Sequence, residues 1–401
     1  MTETRAMNSI ISPDDHWIIW TSLLAVSAIS LYLERNYKIF QKLTGALVAM
    51  VGGMILSNIG FLPTESPSYD IVWDYIVPLT IPLLLMKTDI RRIVKETGRM
   101  FGAFHISALG TVIGSVVAVI ALHSSVPFLE LIVPAMTGSY IGGSVNFVSL
   151  VATFEPPKDL VNATIVADNG IMAIYFLVLI ALPSSAISRR IFPVSERSKA
   201  FHGRESENAE TYWTPKAISL LDIASVLAIA FAIAAISVKV SSYFADSSFG
   251  FVIRIVLGQK YILLTTLSIL FPILLPNYAK KIKGSDIIGV FFIFIFFTLI
   301  GIPASIRTVI MEAPTMILFC AIILAVNFAT TFSLGKLFKY ELEELVLAAV
   351  VTSGGPMNGA AIATSKGWHA LVVPSLLMGV WGYIIGNYTG YLIGIILKYV
   401  F

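Results

Sequence analysis

The stretch Thr137-Gly138-Ser139-Tyr140-Ile141-Gly142-Gly143-Ser144-Val145-Asn146 interrupts an apolar segment, residues 129–154, that is long enough to enter a lipid bilayer. Glycine weakens a helix by about 1 kcal/mol relative to alanine, and small hydroxyl side chains compete for backbone hydrogen bonds. We therefore predict that the helix unwinds here, where its backbone must be buried in protein or line a wet cavity. The alternative is close helix packing through small residues.

A second stretch of the same kind lies near the other end of the chain. Thr352-Ser353-Gly354-Gly355-Pro356-Met357-Asn358-Gly359 interrupts the apolar residues 345–364, and Gly142-Gly143-x-x-Asn146 matches Gly354-Gly355-x-x-Asn358. Paired interruptions at corresponding positions of two halves are typical of the binding site of a secondary transporter.

The composition identifies a polytopic membrane protein. Of the 401 residues, 57% are hydrophobic and only 13% are charged, whereas a soluble protein has about 25% charged residues. The basic residues lie between apolar runs, so we expect membrane lipid and no nucleic acid as a partner. The lone Cys320 excludes an internal disulfide. The first 15 residues lack a cleavable signal, so residues from Trp17 onward are expected to be a retained span.

Twelve apolar segments, six on each side of a polar loop, define the predicted organisation. They cover residues 17–32, 43–61, 71–86, 100–123, 129–154, 160–183, 218–244, 261–275, 287–302, 313–332, 345–364 and 371–399. We predict an N-terminal transmembrane helix in 1–33, a first repeat in 34–185, a cytoplasmic loop in 186–216, a linking helical region in 217–257 and a second, inverted repeat in 258–401.

The distribution of Lys and Arg favours two re-entrant segments. If residues 129–154 and 345–364 enter the membrane and return on the same side, most of the 27 Lys and Arg residues face one side, which the positive-inside rule assigns to the cytoplasm. The predicted fold is thus an all-α polytopic membrane protein with two inverted repeats, about ten transmembrane helices and two re-entrant or discontinuous segments. A rival topology has both segments cross and adds a short crossing near 249–257.

Asp168 is the first candidate for chemistry, because an ionisable residue inside a span is a functional candidate by default. Its carboxylate can bind Na⁺, a hard cation that prefers oxygen ligands, or can take up a proton. The structural alternative is a carboxylate near the interface or one satisfied by a neighbouring hydroxyl. The residues predicted to hold the coupling ion are Thr137, Asp168, Asn169 and Thr352.

The interrupted segments supply the predicted substrate site. Amides offer both donors and acceptors, and the free N–H groups of a broken helix favour an anion while its free carbonyls favour Na⁺. The alternative role for the asparagines is capping or interhelical hydrogen bonding. The predicted substrate-binding residues are Ser139, Gly142, Gly143, Ser144, Asn146, Ser353, Gly354, Gly355, Asn358 and Asn387.

These motifs, together with Val166-Ala167-Asp168-Asn169, resemble the YjcL-like family of uncharacterised membrane proteins (domain of unknown function 819) over nearly the whole chain. More distantly, the layout is similar to sodium/proton antiporters, bile-acid symporters and sodium:glutamate carriers. That resemblance implies inverted repeats, a core with interrupted helices and a scaffold that usually dimerises. Asp168 is followed by Asn169, so the Asp-Asp pair of some antiporters is missing, which favours sodium symport.

The leading hypothesis is a cation-coupled secondary transporter, with Na⁺ as coupling ion, of a small organic anion such as an amino acid, short peptide or carboxylate. No phosphate loop, His-Glu-x-x-His motif or cysteine cluster occurs, so we expect no enzyme and no cofactor. The alternatives are a cation/proton antiporter and, from another class, a non-transporting receptor or intramembrane enzyme. We expect a homodimer in the bacterial inner membrane.

Overall fold

The computed structural model describes residues 9–400 except 38, 41–44, 193–216, 246–249 and 305. All regular elements within those ranges are helical. The first half contains α1 His16–Asn36, α2 Gly45–Asn58, α3 Pro67–Leu85, α4 Ile90–Glu96, α5 Arg99–Leu122, α6 Leu129–Gly142, α7 Ser144–Phe154, α8 Lys158–Ala181 and α9 Ala186–Ile191. The second contains α10 Leu220–Phe244, α11 Phe251–Leu257, α12 Lys260–Leu274, α13 Pro276–Ala279, α14 Ser285–Gly301, α15 Ile306–Leu337, α16 Leu342–Ser365 and α17 Val372–Val400.

The predicted apolar segments are all helical, which confirms an all-α polytopic membrane protein. Seven described helices are long and apolar enough to cross a membrane: α1, α3, α5, α8, α10, α15 within Ala313–Leu337, and α17. The predicted spans in α2, α12 and α14 are shorter apolar helices. Of the predicted loop 186–216, α9 occupies the beginning, and residues 193–216 lie outside the described part of the chain.

Polar residues at the segment edges determine where several helices begin. The Asp15 carboxylate accepts from the Ile18 amide and caps α1. Ser219 and Asp222 form a reciprocal capping box at the start of α10. Such caps satisfy amide groups that have no partner within the helix. Within α3, a π-helical turn at Val72–Ile76 precedes Pro78, where the missing N–H interrupts the regular hydrogen bonding.

The segment 129–154 is a helical hairpin, named hairpin 1 (α6 and α7). Its chain reverses at Gly143, whose φ of 91° and ψ of −169° belong to a region that only glycine adopts readily. A Cβ on Gly138 would collide with the Leu150 side chain, and the Asn146 amide donates to the Gly138 carbonyl at 3.1 Å. In a continuous helix, residues 138 and 150 would lie about 18 Å apart. The second arm therefore lies against the first.

The segment 345–364 doubles back in the same way and is named hairpin 2 (α16). Gly355 has a φ of 78° and a ψ of −176°, and Pro356 follows it. A Cβ on Gly359 would collide with Val351, eight residues earlier. The two tips meet, because a Cβ on Gly143 would lie 4.0 Å from the Gly355 Cα. Both segments thus have the doubled-back shape that the re-entrant prediction requires, whereas the rival topology requires each segment to continue in one direction.

The helices form two bodies, as the distant resemblance implied. The core consists of α5, hairpin 1, α8, α15, hairpin 2 and α17, and the scaffold consists of α1, α2, α3, α10, α12 and α14. Helix α2 of the first half packs on α14 of the second half, and α12 of the second half packs on α3 of the first half. A two-fold repeat predicts that these two contacts correspond to each other. Hairpin 1 lies on α17, where Gly382, Gly386, Gly390 and Gly394 allow close backbone approach.

Candidate functional site

A cavity of about 590 Å³ lies between the core and the scaffold, beside both hairpin tips. The predicted site residues that line it are Ser139, Gly143, Ser144, Asp168, Asn169, Ser353, Gly354 and Asn358. They come from hairpin 1, α8 and hairpin 2, which the fold brings together from positions more than 200 residues apart in the chain. The paired interruptions and the intramembrane carboxylate thus belong to one site.

Asp168 lies midway along α8 and contacts hairpin 1. Its carboxylate accepts a hydrogen bond of 2.6 Å from the Tyr140 hydroxyl, and Tyr140 is fully buried. A bond between a hydroxyl and a carboxylate is charge-assisted and stronger than a neutral one. Tyr140 thereby fixes the orientation of the carboxylate at the cavity wall. Next to it, the Asn169 amide donates to the Ile165 carbonyl at 2.8 Å within α8.

Each hairpin places two helix ends of opposite polarity at the cavity. In hairpin 1, α6 ends at Gly142 with its carbonyls, and α7 begins at Ser144 with its amides. In hairpin 2 the break at Gly355 has the same consequence. Helix N-termini favour negative charge and helix C-termini favour positive charge. The tips therefore offer binding groups for an anion and a cation at adjacent positions.

Asn146 and Asn387, predicted to bind substrate, lie outside the cavity lining. The buried Asn146 amide donates to the carbonyls of Gly138 at 3.1 Å and Gly382 at 3.0 Å. The buried Asn387 accepts from the Ser149 hydroxyl at 2.6 Å and donates to the Thr265 hydroxyl at 2.6 Å. Their amide donors hold helices together, which corrects the prediction that they face the substrate.

Four further predicted residues also lie behind the cavity wall. Thr137 donates to the Val133 carbonyl at 2.8 Å, and the hydroxyls of Thr352 and Ser107 are hydrogen-bonded at 2.9 Å. Both threonine hydroxyls are thus bonded inside the core. Gly142 lies against the backbone of Gly382, while Gly355 forms the turn of hairpin 2 without lining the cavity. The predicted coupling-ion set is thereby reduced to Asp168 and Asn169 among the lining residues.

Sequence reasoning missed the scaffold side of the cavity. This wall consists of Glu34, Ala46, Leu84, Val290, Ile293, Phe294 and Phe297. The apolar members have no sequence signal that separates them from lipid-facing residues of the same spans. Glu34 lies just beyond the first apolar segment, where a charged residue is ordinary and has no functional signal. Only the packing of α1 beside α2 and α14 brings Glu34 to the cavity.

The described residues that line the cavity include two carboxylates, Asp168 and Glu34, and no Lys, Arg or His. The described chain has no cluster of three or more His, Cys, Asp or Glu side chains that could hold a metal ion. The oxygen groups present are carboxylates, hydroxyls, amides and backbone carbonyls. Oxygen ligands of this kind suit a hard cation such as Na⁺.

The two ends of the core–scaffold interface differ. On α8 the cavity runs from Ile165 to Ile180, towards the end of the molecule where α1 and α3 end. Towards the other end, the buried Asn162 amide of α8 donates to the Ile300 carbonyl of α14 at 2.8 Å. Phe147 of hairpin 1 stacks on Phe297 of α14, with ring centroids 6.5 Å apart. Core and scaffold are thus in direct contact at this end.

A second cavity, of about 500 Å³, lies beyond that contact. Its wall includes Glu65, Asp70, Lys158, Leu299 and Ile300. Ile300, whose carbonyl accepts the hydrogen bond of Asn162, also lines this cavity, so the contact between α8 and α14 lies beside it. The interface therefore has a hollow at each end, separated by the packed middle.

Comparison with known proteins gives the family. The family described as "Protein of unknown function (DUF819)" matches residues 21–400. The chain belongs to this family. It is also 44% identical, over 390 residues, to "Uncharacterized membrane protein YjcL" of Bacillus subtilis (strain 168), covering 97% of this chain and 98% of that protein. The resemblance predicted from the motifs is confirmed, and this DUF819 chain is an integral membrane protein.

Proposed function

We propose that the protein is a secondary transporter that couples the movement of a small organic anion to a cation, with Na⁺ as the coupling ion. The observation that supports this most is the convergence of two broken hairpins beside Asp168, in a cavity between two helical bodies. Asp168 and the tip carbonyls would hold the cation. The amides at the start of α7 and of the second arm of hairpin 2 would hold the anion.

Movement of the core against the scaffold would alternate access to this site. The cavity runs towards the end of the molecule that has Arg35, Lys87 and Lys280, which the positive-inside rule assigns to the cytoplasm. On this proposal, the cavity would open inward in the inner membrane. In the outward-facing state, the Asn162–Ile300 contact would break and the second cavity would join the site.

A second candidate function is cation/proton antiport without an organic substrate. Glu34 favours it, because the cavity wall then has a second carboxylate besides Asp168. Two ionisable groups in one cavity can exchange protons for a cation. Proton flux driven by a Na⁺ gradient in proteoliposomes, without any added solute, would support this candidate over symport.

The primary experiment compares the thermal stability of the detergent-purified chain in Na⁺ with that in choline or K⁺. A ligand that binds only the folded state raises the apparent melting temperature. We expect Na⁺ to stabilise the wild type and to have no such effect on Asp168→Asn. The matched control is Asp89→Asn, which removes a carboxylate that caps α4 outside the cavity. Na⁺-coupled transport that persists in full in Asp168→Asn would exclude the proposed ion site.

A further inference from the structure

We infer that the substrate has one anionic head and an apolar body, so that its class is a monocarboxylate with an apolar tail, with or without an α-amino group. This inference rests on the proposed function and narrows it. Dicarboxylates, tricarboxylates and sugar acids would be poor substrates. The inference comes from how polarity and charge are distributed over the two walls of the cavity.

The two walls of the cavity differ in polarity. All neutral polar side chains in the described lining belong to the core: Ser139, Ser144, Asn169, Ser353, Asn358 and Tyr383. The scaffold wall, apart from Glu34, is apolar and includes the rings of Phe294 and Phe297. A polar tail would lose its hydration against this wall without gaining hydrogen-bond partners, which is unfavourable. An apolar tail would gain from the same burial.

Charge limits the substrate to one anionic group. With no Lys, Arg or His among the described lining residues, the positive potential comes from the helix N-termini at Ser144 and in the second arm of hairpin 2. Each N-terminus is equivalent to about half an elementary charge, so the pair matches about one anionic head. A second carboxylate on the tail would meet the apolar wall or the Glu34 carboxylate, and both are unfavourable.

The size of the cavity agrees with a tail of several carbons. Sites for small molecules measure about 300–1,000 Å³, and the cavity, at about 590 Å³, falls within this range. Burial of each added methylene would strengthen binding about threefold to fourfold. Affinity should therefore rise along a series of straight-chain monocarboxylates until the tail fills the space beside the scaffold.

The experiment uses the full chain in Na⁺ and measures thermal stabilisation by acetate, butyrate, hexanoate, adipate, gluconate, leucine and 4-methylpentanoate. We expect hexanoate to bind at least tenfold more tightly than adipate, which has the same number of carbons but a second carboxylate. Stronger binding of leucine than of its amine-free analogue 4-methylpentanoate would place the α-amino group in the recognised structure. Equal binding would show that the carboxylate and tail suffice. Preference for adipate or gluconate would overturn the inference.

A pair of variants tests the role of the scaffold wall. Val290→Trp narrows the cavity at α14, whereas Ile287→Trp places the same side chain at an exposed position of α14 outside the lining. We expect Val290→Trp to weaken hexanoate binding at least tenfold and acetate binding little, and Ile287→Trp to change neither. Equal weakening of both probes would contradict contact between the tail and this wall.

The same measurements separate this inference from the proposed function. Stabilisation of the wild type by Na⁺, lost in Asp168→Asn, together with preference for a dicarboxylate, would overturn the inference alone. Absence of stabilisation by Na⁺ and by every anion would overturn both.

Discussion

Hairpin 1 and hairpin 2 have the same Gly-Gly-x-x-Asn motif, but their asparagines lie in different surroundings. Asn146 is 1% exposed and donates to two backbone carbonyls, one of them in α17. Asn358 is exposed at the cavity, and its amide donates to the Gly354 carbonyl at 2.6 Å within hairpin 2. The asparagine of the repeated motif therefore serves two purposes, since it fixes hairpin 1 to α17 and faces the cavity in hairpin 2.

The largest expected difference is between Gly142→Ala and Gly354→Ala. A Cβ on Gly142 would overlap the Gly382 backbone carbonyl, which cannot move without displacing α17. A Cβ on Gly354 would instead meet the ends of the Phe176 and Asn358 side chains, which can shift more easily than backbone because both line the cavity. We expect Gly142→Ala to cost about 3 kcal/mol or more and Gly354→Ala clearly less. The apparent melting temperatures of the two variants provide the measurement, and equal losses would contradict the asymmetry.

The next difference is between Asn146→Ala and Asn358→Ala. Removal of the Asn146 amide breaks its hydrogen bonds to the Gly138 and Gly382 carbonyls, and each such bond contributes about 0.5–1.5 kcal/mol. Asn358→Ala changes an exposed residue, so its effect on stability should stay within about 0.5 kcal/mol. We expect Asn358→Ala to reduce stabilisation by ligands while the ligand-free melting temperature is kept. The opposite pattern would show that the roles of the hairpins are reversed.

The turns themselves should respond alike, which sharpens the comparison. Gly143 and Gly355 have nearly the same backbone angles in a region that other residues rarely adopt. Each substitution by alanine should cost about 1–3 kcal/mol of strain. The space at Gly355 is open and the contacts at Gly143 are of ordinary length, so no further steric term is expected. Thermal unfolding of the two variants side by side measures this, and a large difference between them would indicate unequal turns.

The smallest expected effect concerns Tyr140 and its repeat counterpart Thr352. Tyr140→Phe removes the hydrogen bond that orients Asp168, whereas Thr352→Val removes one to Ser107 inside the core. We expect Tyr140→Phe to weaken stabilisation by Na⁺ up to about tenfold, which corresponds to about 1.4 kcal/mol. Titration of the melting temperature with Na⁺ gives the affinity. A loss of the same size in Thr352→Val would mean that general loosening of the core is responsible.

The sequence predicted the hairpins because their signal is local. Gly143 and Gly355 lie where the chain must reverse, and backbone requirements of this kind appear directly in residue type. Asp168 was found for a similar reason, since a carboxylate inside an apolar span is unusual.

Partners across helices were harder to predict. Nothing near Asn146 in the sequence shows that its amide donates to Gly382, because that contact depends on how α17 packs on hairpin 1. The same limit applies to Phe294 and Phe297, which resemble lipid-facing residues until α14 is placed beside the core. An asparagine after a glycine pair thus indicates a break in the helix, whereas the groups that its side chain contacts depend on tertiary packing.

Asp168 is the one charged side chain that the core contributes to the described lining of the cavity. On the proposed function, this single carboxylate would neutralise one Na⁺, so that a substrate without an α-amino group would move as one monoanion with one Na⁺. Such a cycle transfers no net charge across the membrane. A charge that crosses the membrane potential gains about 2.3 kcal/mol per 100 mV, and an electroneutral cycle cannot use this energy. Substrate accumulation would then follow the Na⁺ concentration ratio and would be the same in polarised and depolarised vesicles.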